Sequence, residues 1–158
     1  MPAIQTHSTR PRAAAAIRQA VFVQEQGFVE EFDAQDAVAT HLVLVADDGR
    51  PMATCRYFQD ADGAWVIGRV AVLPEFRGAH GGAALLREAE RQIAARGGRE
   101  IRLAAQVRAR GFYEKAGYTA YGEEFPEEYC PHIWMKKQAR IYLEKNLPQL
   151  KHWKKIEK

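Results

Sequence analysis

Residues 70–86, VAVLPEFRGAHGGAALL, constrain this chain more than any other stretch. An apolar run of strand character ends at a proline, a basic residue and a cluster of glycines follow, and an alanine–leucine run of helical character begins. A strand that feeds a helix through small residues implies mixed α and β elements. The turn is also suited to an anion, because a helix N-terminus leaves about four backbone N–H groups unpaired and carries roughly half a unit of positive charge. Gly78, Ala79, Gly81, Gly82 and Ala83 would let a phosphate reach those amides without meeting side chains, and Arg77 adds a full positive charge. A tight turn alone would also call for glycine, so the stretch by itself leaves both readings open. Two phosphate loops can be set aside: no Gly-Lys-Ser/Thr ending follows the glycines, and Gly78, Gly81 and Gly82 lack the G-x-G-x-x-G spacing of a dinucleotide fold.

The rest of the chain alternates in the same way. Residues 11–26 carry Ile17, Ala20, Val21 and Gln24 at helical spacing, with Gly27 at a C-cap position. The acidic EEFDAQDA is read as an irregular or short helical connection. THLVLVA and PMATCRYF flank the turn-forming DDGR and are read as an antiparallel hairpin. After a second turn, DADG, the run AWVIGRVAVLP is apolar on both faces apart from Arg69 and suits a central, covered strand. Beyond the glycines, Leu85, Leu86, Ala89 and Ile93 form one helix face, Arg87, Glu88, Glu90 and Arg91 lie largely elsewhere, and Gly97-Gly98 ends the helix. A short strand at EIRLAA, a short helix at RARGFYEKA, a turn at Gly117 and closing strands at 118–121 and 133–136 complete the pattern.

At 158 residues the chain suits one domain. With 47% hydrophobic and 27% charged residues it reads as a globular protein, with neither a membrane-length apolar run nor a secretory leader, and so as cytoplasmic. Cys55 and Cys130 lack metal-site or disulfide spacing and are read as reduced thiols; no metal is expected. The net charge of +3 is uneven: residues 136–158 carry +6 and the rest −3. The expected organisation is a domain over residues 1–137 and a basic extension over 138–158 docked on it. That extension, with Trp153 in LKHWKK, admits a nucleic-acid or anionic-surface contact; a docked tail or homodimer contact is the preferred reading, and no membrane or nucleic-acid partner is expected.

With these residues in view, the chain resembles the GNAT superfamily of acetyl-CoA-dependent N-acetyltransferases. The strand RVAVLP followed by RGAHGG matches its strand, Arg/Gln-x-x-Gly-x-Gly/Ala and helix, with Arg77 at the first position, Gly82 at the last, and His80 where the middle glycine is expected. AQVRARGFYEKAGY, residues 105–118, resembles the family's later helix carrying Phe-Tyr and its Gly-Tyr entry to the next strand. VFVQEQGFVEEFDAQDAVATHLVL, ATCRYF, IGRVAV and CPHIWM together resemble the ElaA-like branch, so the resemblance spans about residues 18–135. It implies an α/β fold: a twisted mixed sheet with helices on both faces and a splayed central strand pair that admits the cofactor's pantetheine arm. By carry-over, the backbone of Val70, Ala71 and Val72 would pair with that arm, and the amides of 77–83 (Arg77, Gly78, Ala79, His80, Gly81, Gly82, Ala83) would hold the pyrophosphate. Gln106 stands where an asparagine often contacts the cofactor. A histidine at position 80 has a Cβ and is expected at negative φ, where its imidazole could lie beside the pyrophosphate.

Acetyl transfer needs a neutral amine, stabilisation of the oxyanion and a proton for the departing thiolate; direct attack makes it largely a matter of positioning. A backbone N–H near Val72 could polarise the thioester carbonyl. Tyr113 matches the family's tyrosine acid, and a phenol with a reference pKa of about 10 is protonated at neutral pH; Phe112 beside it is available for packing. For binding or deprotonating the acceptor the resemblance points to Glu25, Asp33, Asp36, His41 and His132. Arg56 and Arg69, permanent charges in apolar strands, either pair with the acidic segment or line the acceptor pocket. An acidic pocket would favour a cationic amine, which the sequence leaves open among sugar, polyamine, amino acid and protein terminus. The competing reading is a catalytically silent module that binds acetyl-CoA for regulation.

Overall fold

Along Thr40–Val45, Leu42 and Leu44 point to one side of the backbone and Val43 to the other, and all three are buried. A strand with both faces covered needs a layer above and a layer below it. The computed structural model, which describes residues 1–29 and 31–139, supplies both. Its strands are β1 (Ala3–His7), β2 (Thr40–Val45), β3 (Pro51–Gln59), β4 (Trp65–Val72), β5 (Glu100–Gln106), β6 (Thr119–Glu127) and β7 (Cys130–Gln138). They form one sheet in the order β1-β2-β3-β4-β5-β7-β6, antiparallel throughout except for the parallel β4–β5 pair. Helix α1 (Arg12–Arg18) packs Ala14 and Ile17 with Val43 and Ala71 on one face. Helices α2 (Gly81–Ala95) and α3 (Arg110–Lys115) pack with Leu42, Leu44, Ile67, Leu103 and Met135 on the other.

Leu85, Leu86, Ala89 and Ile93 of α2 are all within 1% of full burial, as the helical spacing predicts. Burial of each large side chain contributes about 1.5–3 kcal/mol, and Leu85→Ala would cost about 2–5 kcal/mol. Gly97, at φ 87, ends the helix in a conformation that glycine adopts without a Cβ penalty. One residue departs from the expected polar face: Glu90 is buried, accepting from the Tyr118 hydroxyl at 2.7 Å and from Lys137 Nζ at 3.1 Å. A carboxylate can lie under the sheet because both oxygens are satisfied.

The first helix also departs from the sequence reading. The α-helical part stops at Arg18 and continues as a π-helix over Gln19–Glu25, with Gln26 N–H donating to Val21 C=O at 3.1 Å. The wider turn shifts the buried stripe to Ile17, Val21 and Phe22 and leaves Gln24 exposed, contrary to the 3.6-residue expectation. The hairpin of β2 and β3 and the two closing strands appear as anticipated, although β6 and β7 are longer. Strand β1 was not anticipated; AIQTH alternates weakly and pairs with β2 at the sheet edge, with Ile4 packed against the core. The expected basic extension lies, from residue 140 onward, outside the described residues.

Candidate active site

The two parallel strands part soon after they meet. β4 and β5 pair only at Trp65↔Ile101 and Val66↔Arg102, and neither continues along the other. Beyond Val66, β4 keeps β3 on one side. Its other edge is peptide backbone inside the fold, the kind of edge an extended ligand can join. A bulge accompanies the parting: Thr54↔Ala71 and Arg56↔Gly68 leave one extra residue in β4, and Arg69 there adopts φ 51. Arg69 Nε donates to the Glu31 carbonyl at 3.0 Å and Nη2 to Asp33 Oδ2 at 3.1 Å, which anchors the bulge. Val70, the second residue of the bulge, and Ala71 and Val72 after it therefore lie on the edge that β5 leaves unpaired.

The turn into α2 stands beside this opening. Gly78 has φ 89, and His80, the residue before the helix, has φ 61 and ψ 23. This overturns the expectation of a negative φ at His80. Histidine, like asparagine and aspartate, enters the left-handed region more readily than most side-chain-bearing residues, and here the ring is exposed with no clash to exclude it. The His80 carbonyl accepts from Ala84 N–H at 3.0 Å, so the helix starts with the amides of Gly81, Gly82 and Ala83 at its open end. The buried glycines differ in role. A Cβ on Gly82 would meet Phe112 Cζ at 3.5 Å and Val72 Cγ2 at 3.6 Å, so this glycine faces β4 and α3 across the opening. A Cβ on Gly81 would come within 3.0 Å of Leu44 Cδ2, so its small size serves the packing of α2 on the sheet. Ala79 is exposed on the turn.

Arg77 turns away from the glycines. Its Nε donates to Val72 C=O at 3.0 Å and its two Nη atoms grip Glu25 at 2.8 and 2.6 Å. The hydrogen bonds from Arg77 hold the Glu25 carboxyl below the usual carboxylate range. Gln106, at the end of β5, donates to Gln26 Oε1 at 2.8 Å and accepts from Arg108 Nε at 2.8 Å. The ends of β4 and β5 are thus each tied to the end of the first helix.

Of the buried tyrosines, Tyr57 donates its hydroxyl to Gln92 and Tyr118 donates to Glu90, each at 2.7 Å. The Tyr113 hydroxyl has no hydrogen-bond partner among the described residues. Burial pushes its pKa up, with a smaller push from Cys55 on β3, so the proton is retained at neutral pH. The packing position expected for Phe112 is taken by Tyr113. Tyr113 packs inward, edge-on to Tyr118, while Phe112 is 41% exposed at the rim beside Gly82.

The residues expected near the acceptor fall into two groups. Asp36, His41 and Arg56 join a buried network with Arg18 and Glu31, two residues the helical pattern did not single out. Asp36 accepts from Arg18 Nη1 at 2.8 Å and from Arg56 Nη1 at 2.7 Å; Arg18 Nε pairs with Glu31, and Arg56 also pairs with Asp33 at 2.6 Å. Burial alone would raise the Asp36 pKa, but the hydrogen bonds from Arg18 and Arg56 outweigh it and hold the carboxyl well below its ordinary value. Burial lowers the pKa of His41, whose Nε2 lies 3.0 Å from the Asp36 carbonyl. The open question about Arg56 and Arg69 resolves toward pairing with the acidic segment, which fastens that segment over β3 and β4. The only sequence signal for this network is charge inside otherwise apolar elements.

Glu25 and His132 lie elsewhere, the first lining a cavity of about 440 Å³ and the second buried behind its wall. Glu25, Gln26 and Phe28 line it from the end of the first helix, Arg108 from the segment after β5, and Tyr129, Cys130 and Pro131 from the β6–β7 turn. His132 is buried next to this wall, with Nδ1 2.9 Å from Cys130 C=O and its ring 6.5 Å from Phe28. The cavity carries charges of both signs, in contrast to the acidic pocket considered from sequence. Gln26, Phe28, Arg108 and the β6–β7 turn were not anticipated, because distant segments converge there without a local motif.

The comparisons with known proteins agree with this fold. The model of the acetyltransferase (GNAT) domain matches residues 9–139. The uncharacterized N-acetyltransferase YjcF of Bacillus subtilis is 34% identical over 124 residues, covering 77% of this chain and 87% of that protein. A candidate N-acetyltransferase of Lactobacillus plantarum has a crystal structure similar at a TM-score of 0.80 and 32% identity, over 87% of this chain and 98% of that one. Escherichia coli ElaA is similar at a TM-score of 0.76 and 28% identity, over 87% and 99%. The family match over residues 9–139, with ElaA among the structural neighbours, establishes that this chain belongs to the GNAT family of acetyltransferases.

Proposed function

We propose that the protein transfers an acetyl group from acetyl-CoA directly to a primary amine of a small molecule. The observation that carries the reading is the parting of β4 from β5 after two residue pairs, directly beside the small-residue N-terminus of α2. The chain's residues fit the co-substrate: the edge of β4 at Val70, Ala71 and Val72 is unpaired with β5, with the Val72 carbonyl held by Arg77, and suits an amide-bearing arm, while a Cβ at Gly82 would project toward Phe112 and Val72. The amides of residues 77–83 would hold the pyrophosphate at the positive end of α2, with Gln106 at the opposite lip. Acetyl-CoA supplies an activated acetyl group as a thioester.

The bond formed is N–C and the bond broken is C–S, and the amine proton ends on the sulfur. A backbone N–H next to the β4 bulge serves the carbonyl oxygen. Tyr113, protonated and with its hydroxyl uncommitted to any described residue, serves as the acid for the thiolate. Glu25, at the cavity wall, and His132, buried behind it, serve the amine; Asp36, His41 and Arg56 act on the site by holding the acidic segment in place.

The test is a thermal-shift titration with acetyl-CoA followed by a thiol-release assay over a broad amine panel. Stabilisation by acetyl-CoA and thiol release that depends on an amine are the expected results. No stabilisation and no thiol from any amine would refute the reading.

A further inference from the structure

We infer that the acceptor is an α-amino acid with an apolar side chain, recognised through its carboxylate by Arg108; this rests on the acetyl-transfer reading above. Glu25 and Arg108 stand on different walls of one cavity, close enough for the Arg108 charge to act on the Glu25 carboxyl. Their commitments differ. Both oxygens of Glu25 are taken by Arg77 at 2.6 and 2.8 Å. Arg108 donates through Nε to a neutral partner, Gln106, and no carboxylate among the described residues lies within ion-pair distance of it. Nearby acids are engaged too: Glu127 with His132 at 3.2 Å, and Glu128 with Val29 N–H at 2.7 Å. The cavity therefore presents the outer edge of a guanidinium, a geometry that matches a carboxylate.

The remaining walls are Gln26, whose Oε1 accepts from Gln106, and Phe28, set edge-on to Tyr129 at 5.8 Å, with Cys130 and Pro131. None of them adds a charge, and Phe28 and Pro131 offer apolar surface to a side chain. A cavity of about 440 Å³ has room for such a molecule. An amine toward Glu25 and a carboxylate toward Arg108 would leave the side chain against Phe28. A polyamine or aminoglycoside, carrying several positive charges and no carboxylate, would set like charge against Arg108.

The experiment measures thiol release from acetyl-CoA with leucine, phenylalanine and methionine, with the carboxamide of each, and with spermidine. The expected result is kcat/KM at least about tenfold higher for each acid than for its carboxamide, the scale of a charge-assisted hydrogen-bond pair. In Arg108→Ala that preference disappears through KM, while stabilisation by acetyl-CoA stays; Arg108→Lys restores part of it. Because Arg108 is exposed, both variants fold. Equal rates for acids and carboxamides, a preference that survives in Arg108→Ala, or turnover of spermidine alone would overturn the inference and leave acetyl transfer standing. Absence of thiol release from every amine would overturn both.

Discussion

Substituting His80 tests the backbone of the turn directly. The residue is held at φ 61 and ψ 23, its side chain is exposed, and it makes no capping hydrogen bond. The left-handed region costs an L-residue roughly 1–2 kcal/mol, and for a type that visits it often the lower figure of about 1 kcal/mol applies. His80→Gly removes that cost but adds roughly 0.5 kcal/mol of backbone entropy to the unfolded chain. The net gain is about 0.5 kcal/mol, which for a domain of this size raises Tm by about 1–2 °C. His80→Val places a β-branched residue where it is a true outlier and costs about a further 1–2 kcal/mol. The two variants should thus differ by roughly 2 kcal/mol, or about 4–8 °C in Tm. Thermal unfolding followed by circular dichroism, at one protein concentration and without acetyl-CoA, reads the difference. If His80→Val melts at or above His80→Gly, the backbone at position 80 has negative φ, where glycine is the weaker choice, and the reasoning fails.

Three further outcomes are expected. Tyr113→Phe should lower amine-dependent thiol release by about 10²–10⁴-fold, the usual weight of a positioned acid, with the circular dichroism spectrum unchanged; near-normal turnover would remove Tyr113 from the chemistry. Asp36→Asn leaves Arg18 and Arg56 short of a buried counter-charge and should cost about 3–5 kcal/mol in urea unfolding at neutral pH. Because the folded carboxyl titrates below its unfolded value of about 3.9, that stabilisation is complete above the unfolded value and is lost as pH falls through the folded one. The gap between wild type and variant should therefore begin to close only below about pH 4, and a gap that closes near neutrality would contradict the network. Burial pushes the Cys55 thiol up to about 12, so a thiol reagent at pH 8 should label Cys130 in the native protein and reach Cys55 only on unfolding, as read by peptide mass.

Elements whose side chains obey a local period were legible in the chain. Leu85, Leu86, Ala89 and Ile93 mark α2, the apolar runs either side of DDGR mark β2 and β3, and Gly27 and Gly97 stop helices in the left-handed conformation anticipated for them. Strand β1 was not legible, because an edge strand is held by backbone pairing that any sequence can make. Nor was the π-helix over Gln19–Glu25, since its widened turn answers to packing around Val21 and Phe22. At the site, RGAHGG and GFYEKAGY announced the turn and the tyrosine, but not that Arg77 would grip Glu25 or that Phe112 would stand at the rim.

Sequence by itself determined the family, the order of the main elements after β1 and the small residues at the start of α2, because these depend on spacing within single segments. Tertiary structure alone decided where the charges go. Arg18, Glu31, Asp36 and Arg56 meet from separate segments to bind the acidic loop, and Glu25 and Arg108 come to one cavity from the first helix and from the segment after β5. An ion pair carries no period along the chain. Its partners are selected by burial, which makes an unmatched charge too costly to keep.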